Sequence, residues 1–554
     1  MSSLSRPLVV LLILLAAFLS LDDLGHRKLA NPDEGRYSEI AREMAISGDF
    51  ITPRLNGLKY FEKPPLQYWA TALTFRAFGE SEFTARLYPA LCGLGCILLI
   101  LFTAGRLYGV ETGAYSALAL MSGLFFMAMN EVITLDMGLT FWMTLTVCAF
   151  LLAQSAATPP ARRSWLLLAW AGTALALLSK GLIGPVFPFA ALFLYVLIHR
   201  KWHLLLQLEW RWGLLVFFLI ATPWFVLVSL QNPEFPHFFF IHEHFERFLT
   251  TTHRREEPWW FFLPLLFFGY TPWILLLIPA AWAAWRADAA NVAAGRFAVL
   301  RYIVIFSVFV LFFFSKSGSK LPAYILPLFP LLAIPLGVYL CKADTKRLAW
   351  MVSPIIVLAL AGSYYAWKAP AARAAGNLSR QLWYSQMGAW VMAAMLALAA
   401  AALVAFVAFR YRQKVIALVT LAIGTLLAVE FIEQGYEYIS PIQSGYATAQ
   451  AISPHLKPET RLYAVRIYDQ SLPFYLKRTL TLVDYVDEFE LGQKQEPAKY
   501  LAKLSDFPTA WNAPGPALAM IQPGEVDQFR SMGLAFEVIH QDPRRTVIVK
   551  TTTP

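Results

Sequence analysis

The sequence predicts an all-α polytopic membrane domain with about 13 transmembrane helices, followed by a soluble α/β domain. Composition is the first of two observations behind this. Of 554 residues, 58% are hydrophobic and only 15% charged, whereas a soluble domain carries about 25% charged residues. A conventional soluble protein is therefore excluded. Uneven charge is the second. From Glu433 to the C-terminus there are 12 Lys+Arg and 14 Asp+Glu in 122 residues, leaving 46 − 12 = 34 and 36 − 14 = 22 for residues 1–432. The chain divides into a membrane domain, 1–432, and a soluble domain, 433–554. Long uncharged runs separate the basic residues of the first part, so the net charge of +10 is no nucleic-acid footprint, which would cluster them on a wet face.

A spanning helix needs about 20 apolar residues. Stretches of that kind run 7–21, 86–105, 112–130, 137–157, 165–178, 182–198, 212–230, 259–285, 298–314, 321–340, 348–367, 387–409 and 415–432. The first follows Arg6 and also fits a signal peptide, but no small-residue cleavage site precedes the acidic Leu21-Asp22-Asp23 exit, so an uncleaved anchor is expected. Only Ser179-Lys180-Gly181 separates the fifth and sixth, which therefore form either two spans or one re-entrant hairpin. An odd count puts the termini on opposite sides. With the N-terminus inside, the inner loops collect sixteen basic residues, among them Arg106, Arg200, Lys201, Arg286, Lys342, Arg347 and Lys414, against Glu111, Glu209, Asp288 and Asp344. This satisfies the positive-inside rule. It places the 22–85 loop, the 231–258 loop and the C-terminal domain outside, which is the periplasm if the membrane is the inner membrane of a Gram-negative bacterium. Cys92, Cys96, Cys148 and Cys341 sit in apolar runs or at a helix end and form no disulfide framework.

In the tail, strand-like runs (Leu462–Ile467, Thr479–Val483, Leu518–Ile521, Phe536–Ile539, Thr546–Val549) alternate with helix-compatible stretches, Ser471–Lys477 and Gly524–Met532. That alternation predicts a small α/β domain. It contains no phosphate-binding glycine loop and no nucleophile–base pair, and a lid or docking role is expected.

Chemistry concentrates in the outer loops. The first loop carries Asn31-Pro32-Asp33-Glu34-Gly35-Arg36-Tyr37 and Phe61-Glu62-Lys63-Pro64-Pro65. Acids just after a proline suit a helix start, where the dipole favours them and Asp33 can cap, but Arg36, Arg42, Glu43, Glu62 and Lys63 exceed what a cap needs. Tyr37, Ile40, Ala41, Met44 and Ala45 recur at helical spacing, so this helix is expected along the membrane surface, with a second at Leu66–Leu73. Asp136 lies where the third span turns into the fourth, and an ionisable group near hydrocarbon is a functional candidate. Ile241-His242-Glu243-His244-Phe245-Glu246-Arg247 offers a guanidinium able to grip a phosphate with two bonds. His242, His244 and Glu62 are candidate ligands for zinc. Lys316-Ser317-Gly318-Ser319-Lys320-Leu321-Pro322-Ala323-Tyr324 is a candidate phosphate cradle.

These motifs, in this order, resemble the integral-membrane glycosyltransferases of the GT-C fold, and most specifically the lipid A 4-amino-4-deoxy-L-arabinose transferase family, relatives of the protein O-mannosyltransferases. The resemblance rests on Asn31-Pro32-Asp33-Glu34, Phe61-Glu62-Lys63-Pro64-Pro65, Glu243-His244-Phe245-x-Arg247-Phe248 and Lys320-Leu321-Pro322-x-Tyr324. It implies an undecaprenyl-phosphate-linked aminoarabinose donor, a lipid A phosphate acceptor, inversion at the anomeric carbon, and resistance to polymyxin-type peptides as the outcome. Asp33, Asp136 and Glu34 are then the expected catalytic residues, with Lys63, Arg36, Arg247, Lys320 and Tyr324 binding substrate. No cofactor is required, with a divalent metal at Glu62, His242 and His244 as an open alternative. Two other readings stay open: a polyprenyl-phosphate-sugar-dependent protein or polysaccharide mannosyltransferase, and a polyprenyl-glycan transporter. The transporter lacks support, because no internal repeat of the kind transporters carry is detectable.

Overall fold

The computed structural model describes residues 5–246, 257–373 and 378–551. These resolve into two units: Met1–Leu24, Glu62–Gln67 and Leu87–Gly435 form the first, and Gly25–Phe61, Tyr68–Arg86 and Tyr436–Pro554 form the second.

The first unit is helical, and each of the thirteen expected apolar stretches falls on a helix or a bent helix pair. Among the described residues, seven helices are long and apolar enough to cross a bilayer alone, and two bent pairs bring the number to nine. Three shorter apolar helices, Val9–Leu21, Ile183–His199 and Leu328–Lys342, and the Pro159–Lys180 helix account for the rest. Gly181 ends that last helix at φ +88°, a left-handed conformation that glycine adopts without a Cβ penalty. Lys180 is therefore the final residue of its helix.

The bent pairs depart from the straight spans expected at 112–130 and 259–285. Val110–Met121 and Leu124–Asn130 meet at 69°, and Phe262–Gly269 and Ile274–Ala293 at 99°. A broken helix in hydrocarbon frees backbone groups that protein must satisfy, and here the two breaks satisfy each other. Leu124 N–H donates to the Thr271 carbonyl at 3.2 Å, and Trp273 Nε1 donates to Ser122 Oγ at 2.9 Å. Tyr270 OH also donates to the Phe329 carbonyl at 2.9 Å.

The second unit is built around a six-stranded sheet comprising β3 (Arg461–Val465), β4 (Thr481–Val483), β5 (Tyr500–Leu501), β6 (Ala517–Ile521), β7 (Phe536–Gln541) and β8 (Thr546–Lys550). A small hairpin of β1 (Arg54–Leu55) and β2 (Leu58–Lys59) precedes it in the chain. The sheet order is β5-β4-β3-β6-β8-β7, with β3 to β6 parallel and β7 and β8 antiparallel at one edge. All five expected strands are present, and β5 is an addition too short to show a pattern. Strand order reverses between β3 and β6, and crevices beside such a switch point are where open α/β sheets bind ligands.

Here the loop leaving β3 holds the first outer loop instead. Ser471 N–H donates to Asn31 Oδ1 at 2.9 Å, and Asn31 Nδ2 donates to Asp469 Oδ2 at 2.8 Å. Asn56 exchanges two bonds with the Leu480 backbone, at 2.7 and 2.8 Å. The 22–85 loop thus supplies much of the unit that also contains the tail. Its helix Asp33–Ser47 buries ten of its 15 residues, charged ones included, so protein covers both the apolar and the polar sides of a helix expected to rest on a membrane surface. The second loop helix, Leu66–Phe78, keeps an apolar edge outward at Leu73 and Phe78.

Gly35 permits this packing. A Cβ at that position would lie 2.4 Å from Ser471 N and 2.6 Å from the Gln470 carbonyl carbon, both backbone atoms that cannot swing aside. Gly35→Ala is expected to destabilise the unit by about 1–3 kcal/mol, measurable as a lower thermal midpoint of the purified full chain. An unchanged midpoint would show that the loop after β3 yields freely.

Candidate active site

Asp33 and Glu34 are neighbours in sequence, yet the helix turns them toward different surroundings. Asp33 is the first residue of its helix, with Pro32 at the cap position and no side-chain capping bond, so the expected cap does not form. Its carboxylate stays 38% exposed and accepts from Arg36 Nη1 at 3.2 Å. Arg36 is buried, and its Nη2 reaches Glu488 at 3.1 Å. Gln470 Nε2 donates to the other Glu488 oxygen at 3.0 Å. A guanidinium held between two carboxylates stays charged: burial opposes its protonation, but Tyr60, Glu488, Tyr37 and Asp33 together hold it well above the usual arginine value. Asp33 is thus an accessible carboxylate oriented by a braced arginine.

Glu34 is fully enclosed. Arg27 Nη1 donates to it at 2.8 Å, Arg86 Nε and Nη2 at 2.9 and 3.0 Å, and Ala30 N–H at 2.8 Å. Burial alone would raise its pKa, but Arg27 and Arg86 outweigh burial and hold the carboxyl down at about 2. Arg86 further donates to the Arg27 and Lys28 carbonyls at 2.6 and 3.2 Å. A carboxylate so occupied is a poor proton acceptor and a strong brace.

One turn further along the helix, Glu39 takes both arms of Arg42 at 2.7 and 2.6 Å. Glu43 accepts from Gly57 N–H at 3.0 and 3.1 Å. Burial and the charge of Glu39 push Glu43 up to about 8; burial raises Glu39 too, against the pull of Arg42. Lys477 and Tyr468 face this pair, and Glu80 faces Arg42. Because Glu43 rises from 4.5 to about 8 on folding, the folded state holds the extra proton. The stability it contributes is full below pH 4.5 and is lost as pH rises through 8. The thermal midpoint of the full chain should therefore fall by a few °C between pH 5.5 and 8.5, and Glu43→Gln should flatten that slope. Equal slopes in both proteins would sink the assignment.

The first unit holds a second cluster. Asp136 opens the helix Leu135–Gln154 and accepts from Lys180 Nζ, with both side chains largely buried. The same ammonium lies 4.8 Å from the centre of the Tyr324 ring, a cation–π geometry. Tyr324 sits in the turn Pro322–Ile325. Lys320 is buried and donates to the Ser317 and Glu257 carbonyls at 2.7 and 2.8 Å, so it ties down the turn expected to cradle phosphate. Lys63 donates to the Glu62 carbonyl at 2.8 Å, and both side chains are partly buried.

Sequence reading overlooked Lys180, which it took only as a break between spans. The available signal was a lone ammonium between two apolar runs, itself costly in a membrane. Glu488, Arg27 and Arg86 carried no local signal. His242 and His244 lie in the π-helical turn His237–Glu246, but their side chains, and Arg247 entirely, fall outside the described residues. Among the described residues no three His, Cys, Asp or Glu side chains gather as a metal site.

The comparisons agree with this architecture. The family model described as dolichyl-phosphate-mannose-protein mannosyltransferase matches residues 8–239. The model described as aminoarabinose transferase C-terminal domain matches residues 448–550. The crystal structure of ArnT from Cupriavidus metallidurans in the apo state superposes with a TM-score of 0.90 at 34% identity, covering 99% of each chain. Its counterpart bound to undecaprenyl phosphate has the same TM-score and identity, covering 98% of each. A curated relative from Erwinia tasmaniensis, undecaprenyl phosphate-alpha-4-amino-4-deoxy-L-arabinose arabinosyl transferase, is 33% identical over 327 residues, or 58% of either chain. One from Pseudomonas fluorescens is 34% identical over 321 residues, 57% of this chain and 54% of the relative. The chain therefore aligns with less than two thirds of the length of these curated relatives. Helical membrane unit, acidic first loop and α/β unit define a polytopic protein of the GT-C glycosyltransferase class, related to the O-mannosyltransferases. Within that class, the chain belongs to the ArnT family of aminoarabinose transferases.

Proposed function

We propose that this protein transfers 4-amino-4-deoxy-L-arabinose from undecaprenyl phosphate to the phosphate groups of lipid A, masking negative charge and conferring resistance to polymyxin-type cationic peptides. The observation that carries the reading is the accessible, arginine-oriented Asp33, in a chain that matches ArnT over nearly its whole length. The donor is its own activated substrate: the bond from the anomeric carbon to the undecaprenyl phosphate oxygen breaks, and a lipid A phosphate oxygen forms the new bond from the opposite face. That acceptor is already largely ionised near neutral pH and needs no general base. Asp33 therefore serves chiefly to position the sugar or its amino group and to stabilise positive charge developing at the anomeric carbon. Glu34 braces the helix that carries Asp33. Lys63 and Arg247 neutralise the departing phosphate, and Asp136 holds Lys180 beside Tyr324 for the same purpose. A divalent metal at Glu62, His242 and His244 remains an optional element of this reading. The N-terminus and the basic loops face the cytoplasm, and the acidic first loop and α/β unit face the periplasm.

Mass spectrometry of lipid A from a strain lacking its own aminoarabinose transferase, complemented with this chain, tests the proposal. Appearance of the aminoarabinose adduct together with a higher polymyxin threshold is expected. An unchanged lipid A alongside glycosylated protein or polysaccharide would favour the mannosyltransferase reading. In the same strain Lys180→Met should lower the adduct by about 10²-fold, and full adduct levels would remove Lys180 from the site.

A further inference from the structure

At one end of the membrane unit, the C-terminal halves of the helices Ile274–Ala287 and Leu328–Lys342 part around a cavity of about 250 Å³. Its inner wall is apolar, with Ala280, Ala284, Pro335 and Val338, while Lys342 and Arg347 line its mouth. Both cations are exposed, and among the described residues neither pairs with a carboxylate. Asp344 also lines the mouth, but one of its oxygens is occupied by the Lys346 and Arg347 N–H groups at 3.0 and 3.3 Å, where the next helix starts. Arg347 leans over the Tyr339 ring at 6.0 Å, which keeps its guanidinium near the cavity.

The depth of this mouth can be read from its surroundings. Ile278 and Trp282, on the outer face of the first of these helices, are 82% and 60% exposed, as lipid-facing residues are. Arg286 stacks over Trp282 at 4.6 Å. An exposed tryptophan capped by an arginine marks the headgroup level of a bilayer. Lys342 ends its helix one residue before the turn to the next, at the same end. A cleft with an apolar floor and a cationic mouth at headgroup depth matches one chemistry: an anionic phosphate carrying an acyl chain.

We infer that this cleft is a binding site for an anionic glycerophospholipid of the leaflet on the Lys342 side, its phosphate held by Lys342 and Arg347 and the start of one acyl chain lying between the two helices. Basic pockets between membrane helices recognise anionic headgroups in this way. The site involves none of the residues assigned to sugar transfer, so the inference stands apart from that reading.

Native mass spectrometry of the purified full chain, titrated with phosphatidylglycerol or with phosphatidylcholine of the same acyl chains, provides the test. The wild type should retain one phosphatidylglycerol at saturation, bound about 10-fold more tightly than phosphatidylcholine, and the double variant Lys342→Gln/Arg347→Gln should erase that preference. The charge-keeping pair Lys342→Arg/Arg347→Lys should preserve it. Ala287→Trp, at an exposed lining position, should weaken retention by filling the cleft. Equal affinity for the two lipids, or an unaltered preference in the glutamine variant, would overturn the inference. So would full displacement of the lipid by millimolar inorganic phosphate, which would mark a simple anion site without an acyl component.

Discussion

Asp33→Asn is expected to reduce sugar transfer by about 10²–10³-fold while leaving the thermal midpoint within a degree or two of wild type. The substitution is isosteric, the position is the first of its helix, and no capping bond is lost because none is made. What disappears is the negative charge that Arg36 orients at 3.2 Å. If Asp33 chiefly stabilises charge in the transition state, the loss falls on kcat with KM for the donor little altered. A companion variant separates orientation from charge. Glu488→Gln weakens the outer anchor of Arg36 without touching Asp33, and should cost about 10-fold, the lesser effect expected of a residue acting through another. Transfer at the wild-type rate in Asp33→Asn would remove Asp33 from the catalytic role.

Arg86→Met should be the most damaging single change to stability, at about 3–5 kcal/mol. Arg86 is 1% exposed on its side chain and faces Glu34, itself 2% exposed. Removing it leaves a buried carboxylate that keeps its bond from Arg27 but loses one of its two paired guanidinium groups, and takes donors from the Arg27 and Lys28 carbonyls. The full chain should show a sharply lower midpoint and early tryptic cleavage in the first loop. Glu34→Leu added to Arg86→Met removes the stranded charge and should recover part of the loss, which distinguishes an unpaired ion from simple loss of packing. If Arg86→Met lies within about 1 kcal/mol of wild type, Arg27 alone suffices and the two-arginine clamp is redundant.

Much of the membrane unit was legible because a span announces itself by local composition, and every expected apolar stretch is helical. The bends were not legible, because Ser122 and Trp273 stabilise them from positions 151 residues apart. Of the candidate site, Asp33, Asp136 and Tyr324 stood out as motif residues, and the structure gives each a defined partner. Lys320 also stood out, but its ammonium is spent on two backbone carbonyls, a commitment no motif reveals. Lys180 went unweighed because its partner Asp136 lies 44 residues away.

By itself the sequence determined that the chain spans a membrane many times, that an α/β domain follows, and that chemistry gathers in the acidic first loop. Each of those properties is written in local composition or periodicity. Only the tertiary structure decided that Asp33 is the accessible acid and Glu34 the locked one. A helix turns about 100° per residue, so adjacent carboxylates point to different surroundings, and what waits there comes from elsewhere in the chain: Arg86 for Glu34, 52 residues on, and Glu488 for the Arg36 beside Asp33, 452 residues on.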